Sequence, residues 1–318
     1  MTFRNGTFIT AGALMSAAVV VLAFIYGFRA GCTGNNKTAA ADSVATLAYR
    51  LPDEMYFAGE RMPLENIDTR ESLDREILTT VYRHSSTILA IKRARRYFPV
   101  IEKILKENNI PDDFKYLAAA ESEYSNVISP AGAVGFWQIM AGTGREQGME
   151  INSIVDERYD VEKSTRFACD YFRKSYEKYG SWTLVAASYN GGRGRVDEQI
   201  RLQGQKSYYD LLFAEETARF VFRVAAYKLV ISDPAAYGFG IPEEEMYPEL
   251  KYYEVKVDTA VKNLAAFAGH FGTNYKILKL LNPWLRQPYL TPKQGKTYVI
   301  KVPSEGMRNT GLYQVTNN

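Results

Sequence analysis

Residues 111–125 read Pro-Asp-Asp-Phe-Lys-Tyr-Leu-Ala-Ala-Ala-Glu-Ser-Glu-Tyr-Ser. A proline in the first turn and acids beside the N-terminus are helix-start signals, so this stretch predicts a helix from Asp112 to about Tyr124. Within it Phe114, Leu117, Ala118 and Glu121 recur at helical spacing and share one face. Three of the four are apolar, which makes that face the buried one. A glutamate placed there loses hydration, its charged form is disfavoured, and its pKa rises. An acid that keeps its proton near neutral pH can protonate a leaving oxygen, which is what cleavage of a glycan requires. The same spacing also fits a glutamate paired with a base, or one standing in water at the helix end. Glu123 projects from another face and is read as solvated.

Helical signals extend on both sides. Residues 70–108 are predicted helical, with Tyr97, Ile101, Ile104 and Leu105 on one face; Pro99 either bends this segment or marks its start. Ser129 to Gly144 holds four glycines and reads as a loop or short strands. Asp160 is placed to cap a helix from Val161 to Tyr179, which Gly180 ends, with Cys169 as a small buried filler. Trp182 to Tyr189 is a short apolar helix stopped by Asn190-Gly191-Gly192, and Thr217 to Ile231 is another. Beyond Pro242 the texture changes. Tyr252–Val257 and Thr297–Val302 alternate like strands, and two helical stretches, Val261–Phe271 and Tyr275–Leu281, lie between them. The expected architecture is mainly α, followed by a small β-α-α-β domain.

Composition closes several routes. The 318 residues carry 39 basic and 36 acidic side chains, a balance that does not indicate nucleic acid. Two cysteines and two histidines, far apart, provide no disulfide framework, no metal-ligand spacing and no Ser-His-Asp set, so no metal and no cofactor is expected. At the N-terminus, Phe8 to Phe28 is uncharged and nearly continuously apolar or small, about long enough to span a bilayer. Arg29-Ala30-Gly31-Cys32 follows; Ala-Gly-Cys resembles the end of a lipoprotein signal, although Arg29 departs from it. Residues 1–32 are therefore read as a signal or anchor, through an uncleaved helix or a lipidated Cys32, and residues 33–55 as a linker. Either anchor places the rest of the chain on the periplasmic side of a bacterial membrane.

Four ordered blocks resemble the lytic murein transglycosylases, most nearly the membrane-bound type D enzymes. They are Glu121-Ser122; Ser129-Pro-Ala-Gly-Ala-Val-Gly-Phe-Trp-Gln-Ile-Met140; Ala187-Ser-Tyr-Asn-Gly-Gly192; and Glu216-Thr217 followed by Phe220-Val221. Phe136, Ser188, Gly191 and Phe220 depart from the family pattern, and Phe220 lacks the hydroxyl of the usual tyrosine. The resemblance implies a lysozyme-like catalytic domain of the α+β superfamily over 56–240, with a helical N-terminal extension. Residues 250–303 resemble a degenerate LysM module, a fold that grips N-acetylglucosamine-containing glycans; Asn282-Pro283 fits that pattern.

What the resemblance implies for chemistry is specific. Most glycosidases use two carboxylates, and only Asp156, Glu157 and Glu216 offer themselves as a second. Lytic transglycosylases work with one, which here is Glu121. It would donate its proton to the oxygen between N-acetylmuramic acid and N-acetylglucosamine, then deprotonate the C6 hydroxyl that closes a 1,6-anhydro ring. By the same likeness Tyr189 lies near Glu121 and the sugar, Asn190 and Gln138 hydrogen-bond substrate, Ser129 contacts the N-acetyl or ring groups, and Met140 packs beneath a sugar. Ser122, Gly135 and Glu216 are supporting positions: Gly135 and Gly132 admit close backbone approach to the glycan, and Glu216 orients the Tyr189 helix. Phe136 and Trp137 suit core packing and cleft lining equally. The rival readings are a goose-type lysozyme-like hydrolase and a non-catalytic peptidoglycan-binding scaffold.

Overall fold

A computed structural model describes residues 48–307. The anchor segment, Cys32 and most of the expected linker lie outside the described residues. The end of that linker does not behave as one: Leu51 and Met55 are buried in the core. Met55–Phe57 (β1) and Glu60–Met62 (β2) form an antiparallel hairpin. Its two turn residues, Ala58 and Gly59, both have positive φ, the geometry that matches the twist of paired strands.

The helical body follows. The region expected to be one helical run divides into α1 (Ile67–Tyr82) and α2 (His84–Glu107), broken at Arg83; Pro99 lies inside α2 and does not start it. A 3-10 turn over Asp112–Phe114 leads into α3, only eight residues long (Lys115–Ser122). The helix stops two residues before the expected Tyr124, because Glu123 and Tyr124 both adopt left-handed conformations (φ 51° and 54°). Then come α4 (Ala141–Glu146), α5 (Val161–Tyr179), α6 (Trp182–Gly191), α7 (Arg193–Gln203) and α8 (Glu215–Ser232). α5 has the expected limits: Asp160 Oδ1 accepts from the amides of Glu162 and Lys163, and Gly180 closes the helix at φ 63°. α8 is the hub, packing against α1, α3 and α6. Between α3 and α4 the chain is held by isolated bridges pairing Ile128 with Val134 and Val134 with Ile139.

The last domain pairs β3 (Tyr252–Val257) antiparallel with β4 (Tyr298–Pro303), with α9 (Leu264–His270) and α10 (Tyr275–Leu281) between them. Fully buried Asn282 ties α10 to β4: its Nδ2 donates to the carbonyls of Leu278 and Lys301, and its Oδ1 accepts from the Lys301 amide. This domain is docked on the helical body. The amide of Asp156 donates to Trp284, that of Arg286 donates to Ile154, and Val134, Val155 and Tyr159 join Trp284 and Leu285 in one apolar cluster. Glu150 anchors the seam, 2.5 Å from Lys296, 3.2 Å from Lys293 and 2.9 Å from the Tyr298 hydroxyl. Burial pushes its carboxyl up, but these donors outweigh burial and bring it down to about 2. A cavity of about 130 Å³ lies along the same seam, lined by Tyr97, Phe136, Tyr159, Tyr252 and Lys301; Glu121 does not line it.

The seam gives a first prediction. Glu150→Ala leaves Lys296 only Glu157, 3.4 Å away, and takes the acceptor from the buried Tyr298 hydroxyl; it should cost about 1–3 kcal/mol, less than a fully buried pair because Lys296 is partly solvated. Thermal melts should register the loss, and proteolysis should quicken between 246 and 251. An unchanged melting temperature and cleavage pattern would show that the backbone bridges alone hold the domain.

Candidate active site

Glu121 sits in the last turn of α3. Phe114, Leu117 and Ala118 on the same face are completely buried, while Glu121 itself keeps a solvent-facing edge. Protein surrounds its carboxyl, and burial is the main reason its pKa is pushed up to about 8. Arg223 on α8 opposes the rise, and Glu216, also on α8, adds to it. The carboxyl is therefore neutral at pH 7 and close to its titration point, the state suited to giving and then taking a proton.

The neighbouring segments are fastened to one another. Ser122 is buried and its Oγ donates to the Phe136 carbonyl at 2.9 Å, tying α3 to the following loop. On the other side of that loop the Tyr189 hydroxyl donates to the Trp137 carbonyl at 2.6 Å. Tyr189 lies near enough for the charge of Glu121 to add to the burial that raises its phenol. Phe136 and Trp137 are both core residues: Phe136 meets Tyr97 edge to face at 4.7 Å, and Trp137 Nε1 donates to Thr165 Oγ1 at 2.9 Å.

The other expected contacts distribute unevenly. Asn190 Oδ1 accepts from Thr217 Oγ1 at 3.0 Å, which leaves its amide hydrogens pointing elsewhere. Gln138 adopts a left-handed backbone (φ 46°) and folds its Nε2 onto the carbonyls of Gly135 and Val127, so only its oxygen is free to accept. Ser129 Oγ accepts from the Ala133 amide and keeps its hydrogen for another partner. Met140 is 45% exposed.

Three supporting assignments change. Gly135 is tight against the protein's own backbone: a Cβ there would lie 2.2 Å from the Arg158 carbonyl oxygen, at φ 82°. Its role is to seat the loop. Glu216 is exposed and makes no hydrogen bond or ion pair among the described residues; Thr217, one residue on, makes the bond to the Tyr189 helix. Glu123 is not solvated, since Arg83 pairs with it at 2.8 Å and the Tyr227 hydroxyl donates to it at 3.3 Å. The left-handed turn redirects it toward α8.

Of the other carboxylates considered, Asp156 is paired with Arg158, and Glu157 with Lys163 and Lys296. Both are committed to structure. Sequence reasoning missed Glu60 on β2, whose carboxylate accepts from the amides of Trp182 and Thr183 and the hydroxyls of Ser181 and Thr183. It neutralises the N-terminus of the helix that carries Tyr189 and Asn190. Four polar groups converging on one acid at a helix start are invisible in sequence when the acid lies about 120 residues away.

Two segments of the chain match known domain families. Residues 98–212 match the transglycosylase SLT domain, and residues 253–306 match the soluble lytic transglycosylase C-terminal LysM-like domain. The chain carries an SLT domain with a LysM-like domain behind it. It is 27% identical over 222 residues to membrane-bound lytic murein transglycosylase D of Escherichia coli (strain K12), covering 67% of this chain and 48% of that protein. The chain thus spans about half the length of that relative. It is also 27% identical, over 141 residues, to a putative tributyltin chloride resistance protein of Alteromonas sp. (strain M-1), covering 44% of this chain and 68% of the relative. Among solved structures, the lytic transglycosylase Slt of Pseudomonas aeruginosa, as an inactive mutant, aligns at TM-score 0.38 with 18% identity, over 57% of this chain and 35% of its own. The 70 kDa soluble lytic transglycosylase of Escherichia coli aligns at TM-score 0.38 and 18% identity, over 61% and 34%. The SLT match includes Glu121, Gln138 and Asn190 but stops before α8 and begins after α1.

Two predictions arise from this geometry. The pKa of Glu121 is raised on folding, so its contribution to stability is complete below about 4.5 and is lost as pH rises toward about 8. Glu121→Gln removes that loss. Its melting temperature should exceed the parent's at pH 8 and converge with it near pH 4; an equal gap at both pH values would mean that burial of the carboxyl is not the cause. Gly135→Ala should destabilise by more than about 2 kcal/mol, since a backbone clash adds to a left-handed alanine. A denaturant midpoint close to the parent's would count against the packing described for this loop.

Proposed function

We propose that this chain is a lytic transglycosylase that cuts the β-1,4 bond between N-acetylmuramic acid and N-acetylglucosamine in peptidoglycan. The observation that carries the reading is Glu121: a carboxyl in an SLT domain, embedded among apolar side chains yet open on one edge, with its pKa near 8. Protonated at neutral pH, it donates to the glycosidic oxygen as the bond to C1 breaks. Its carboxylate then takes the proton of the C6 hydroxyl as that oxygen bonds to C1. The product ends in 1,6-anhydro-N-acetylmuramic acid, and the acid is regenerated without water. No second carboxylate is called on, which agrees with Asp156 and Glu157 being held in ion pairs.

The remaining polar atoms fit this role. Asn190 has its amide hydrogens for a sugar acceptor, Gln138 its carbonyl oxygen and Ser129 its hydroxyl hydrogen. Tyr189 keeps an acceptor lone pair beside the acid, and exposed Met140 provides an apolar footing for a ring. The LysM-like domain would bind further along the glycan strand. The relative named membrane-bound lytic murein transglycosylase D favours a periplasmic enzyme held at a membrane, with the apolar stretch from Phe8 to Phe28 or Cys32 as the anchor.

Mass spectrometry of peptidoglycan digested by the full chain tests the proposal. The expected products carry anhydro ends, vanish with Glu121→Gln, and fall in yield as pH rises through about 8. Reducing ends would indicate a hydrolase that recruits water and a second acid, with exposed Glu216 the first to replace. Binding without products would make the chain a scaffold.

A further inference from the structure

The stripe of α8 that faces the end of α3 runs Glu216, Phe220, Arg223, Tyr227, spaced so that all four share one side. Tyr227 reaches Glu123, and the charges of Glu216 and Arg223 both bear on Glu121. An adjoining flank of the same helix packs on α1. There Glu76, with no exposed surface, presents its carboxylate to α8. Arg219 Nε lies 2.6 Å from Glu76 Oε1, Arg75 Nε lies 3.5 Å from the same oxygen, and Arg223 Nε lies 3.5 Å from Oε2. Oε2 is buried and makes no hydrogen bond among the described residues; Arg223 is the cation beside it.

Arg223 therefore lies 3.5 Å from a fully buried carboxyl on α1 and, from the stripe of α8 that faces the end of α3, also bears on the carboxyl at the site. The negative charge of Glu76 offsets part of the Arg223 field at Glu121, and its contact fixes where the guanidinium sits. We propose that Glu76 is a positioning residue for the acid: by holding Arg223 it limits how much positive charge reaches Glu121. This rests on the reading of Glu121 as the acid. Glu76 lies on α1, before residues 98–212 of the SLT match, and Arg223 on α8, after them.

Of the other charged and titratable groups around the pair, only Glu216 is exposed without a partner among the described residues. Glu216 and Tyr189 face Glu121 from α8 and α6, and Glu123 is taken by Arg83 and Tyr227. Arg93 on α2 donates to the Glu123 carbonyl, and Lys115 on α3 is paired with Glu102 and Asp112. On the α1 side Arg219 also holds Glu215, and Tyr208 senses both Glu76 and Arg223.

The test is a carboxyl titration in the full chain, labelled with carbon-13 at glutamate Cδ, with the Glu121 signal assigned by its absence in Glu121→Gln. Glu76→Gln frees Arg223 and should move the midpoint of Glu121 down by about half a pH unit to one unit. Arg223→Gln should move it up by about as much, and Arg223→Lys should leave it near the parent value. The alkaline limb of the cleavage rate should follow in the same directions. Midpoints that do not move, or that move the same way in both glutamine variants, overturn the inference. Glu76→Gln leaves cations around a buried amide and risks not folding; Glu76→Asp, which draws the carboxylate back from Arg223, then decides it, a downward shift of the Glu121 midpoint being expected and an unmoved one the negative result. Shifts of the expected sign in a chain that cuts no glycan would sink the proposed reaction and leave the electrostatic link standing.

Discussion

The site depends on a short helix stopping where it does. α3 has eight residues, and two consecutive left-handed residues, Glu123 and Tyr124, end it. Because the chain turns there, Glu121 lies in a final turn, with apolar packing beneath it and an open edge above. The break is held from both sides. The Tyr124 hydroxyl donates back to the Lys115 carbonyl, Ser122 grips the Phe136 carbonyl, and Glu123 is drawn to Arg83 and Tyr227. Left-handed non-glycine residues cost energy, and they persist where the surroundings determine them.

Packing and chemistry meet in the loop that follows. Gly135 fits against the Arg158 carbonyl, Trp137 and Phe136 fill the core, and the loop's own carbonyls receive the hydroxyls of Ser122 and Tyr189. The core and the loop's own hydrogen bonds leave over Met140, the oxygen of Gln138 and the amide of Asn190, the groups that the proposed function gives to the sugar. Arg158, seated on Asp156, donates to the carbonyls of Gly132 and Ile139 and links this loop to the seam with the LysM-like domain. The loop is thus braced by α3, α6 and the C-terminal domain together.

Much of this was legible in the sequence, and for physical reasons. Asp160 and Gly180 mark the ends of α5 because capping is local chemistry, and the 3.6-residue spacing of Phe114, Leu117 and Ala118 gave the buried face that Glu121 shares. Strands of six residues in the last domain alternate long enough to be read. The hairpin at 55–62 was not legible, since three residues cannot display a period. α7 is polar almost throughout, with Val196 its one buried residue, so it carries no apolar stripe. Glu76, Thr217 and Glu60 matter through partners far away in sequence, and Glu123 changes face because two residues leave helical geometry. Gly135 was correctly singled out as a close approach, but what approaches is the protein's own backbone.

The hairpin's Glu60 sits on the N-terminus of α6 from outside the stretch that kinship recognises. Resemblance and self-sufficiency therefore have different borders in this molecule. A fragment trimmed to residues 98–212 would start midway along α2 and forfeit the carboxylate that settles the dipole of α6. It would also bare the sides of α3 and α6 that α8 covers. The stretch matched as an SLT domain holds Glu121, Gln138 and Asn190; the carboxylate and the helix that steady them lie beyond it.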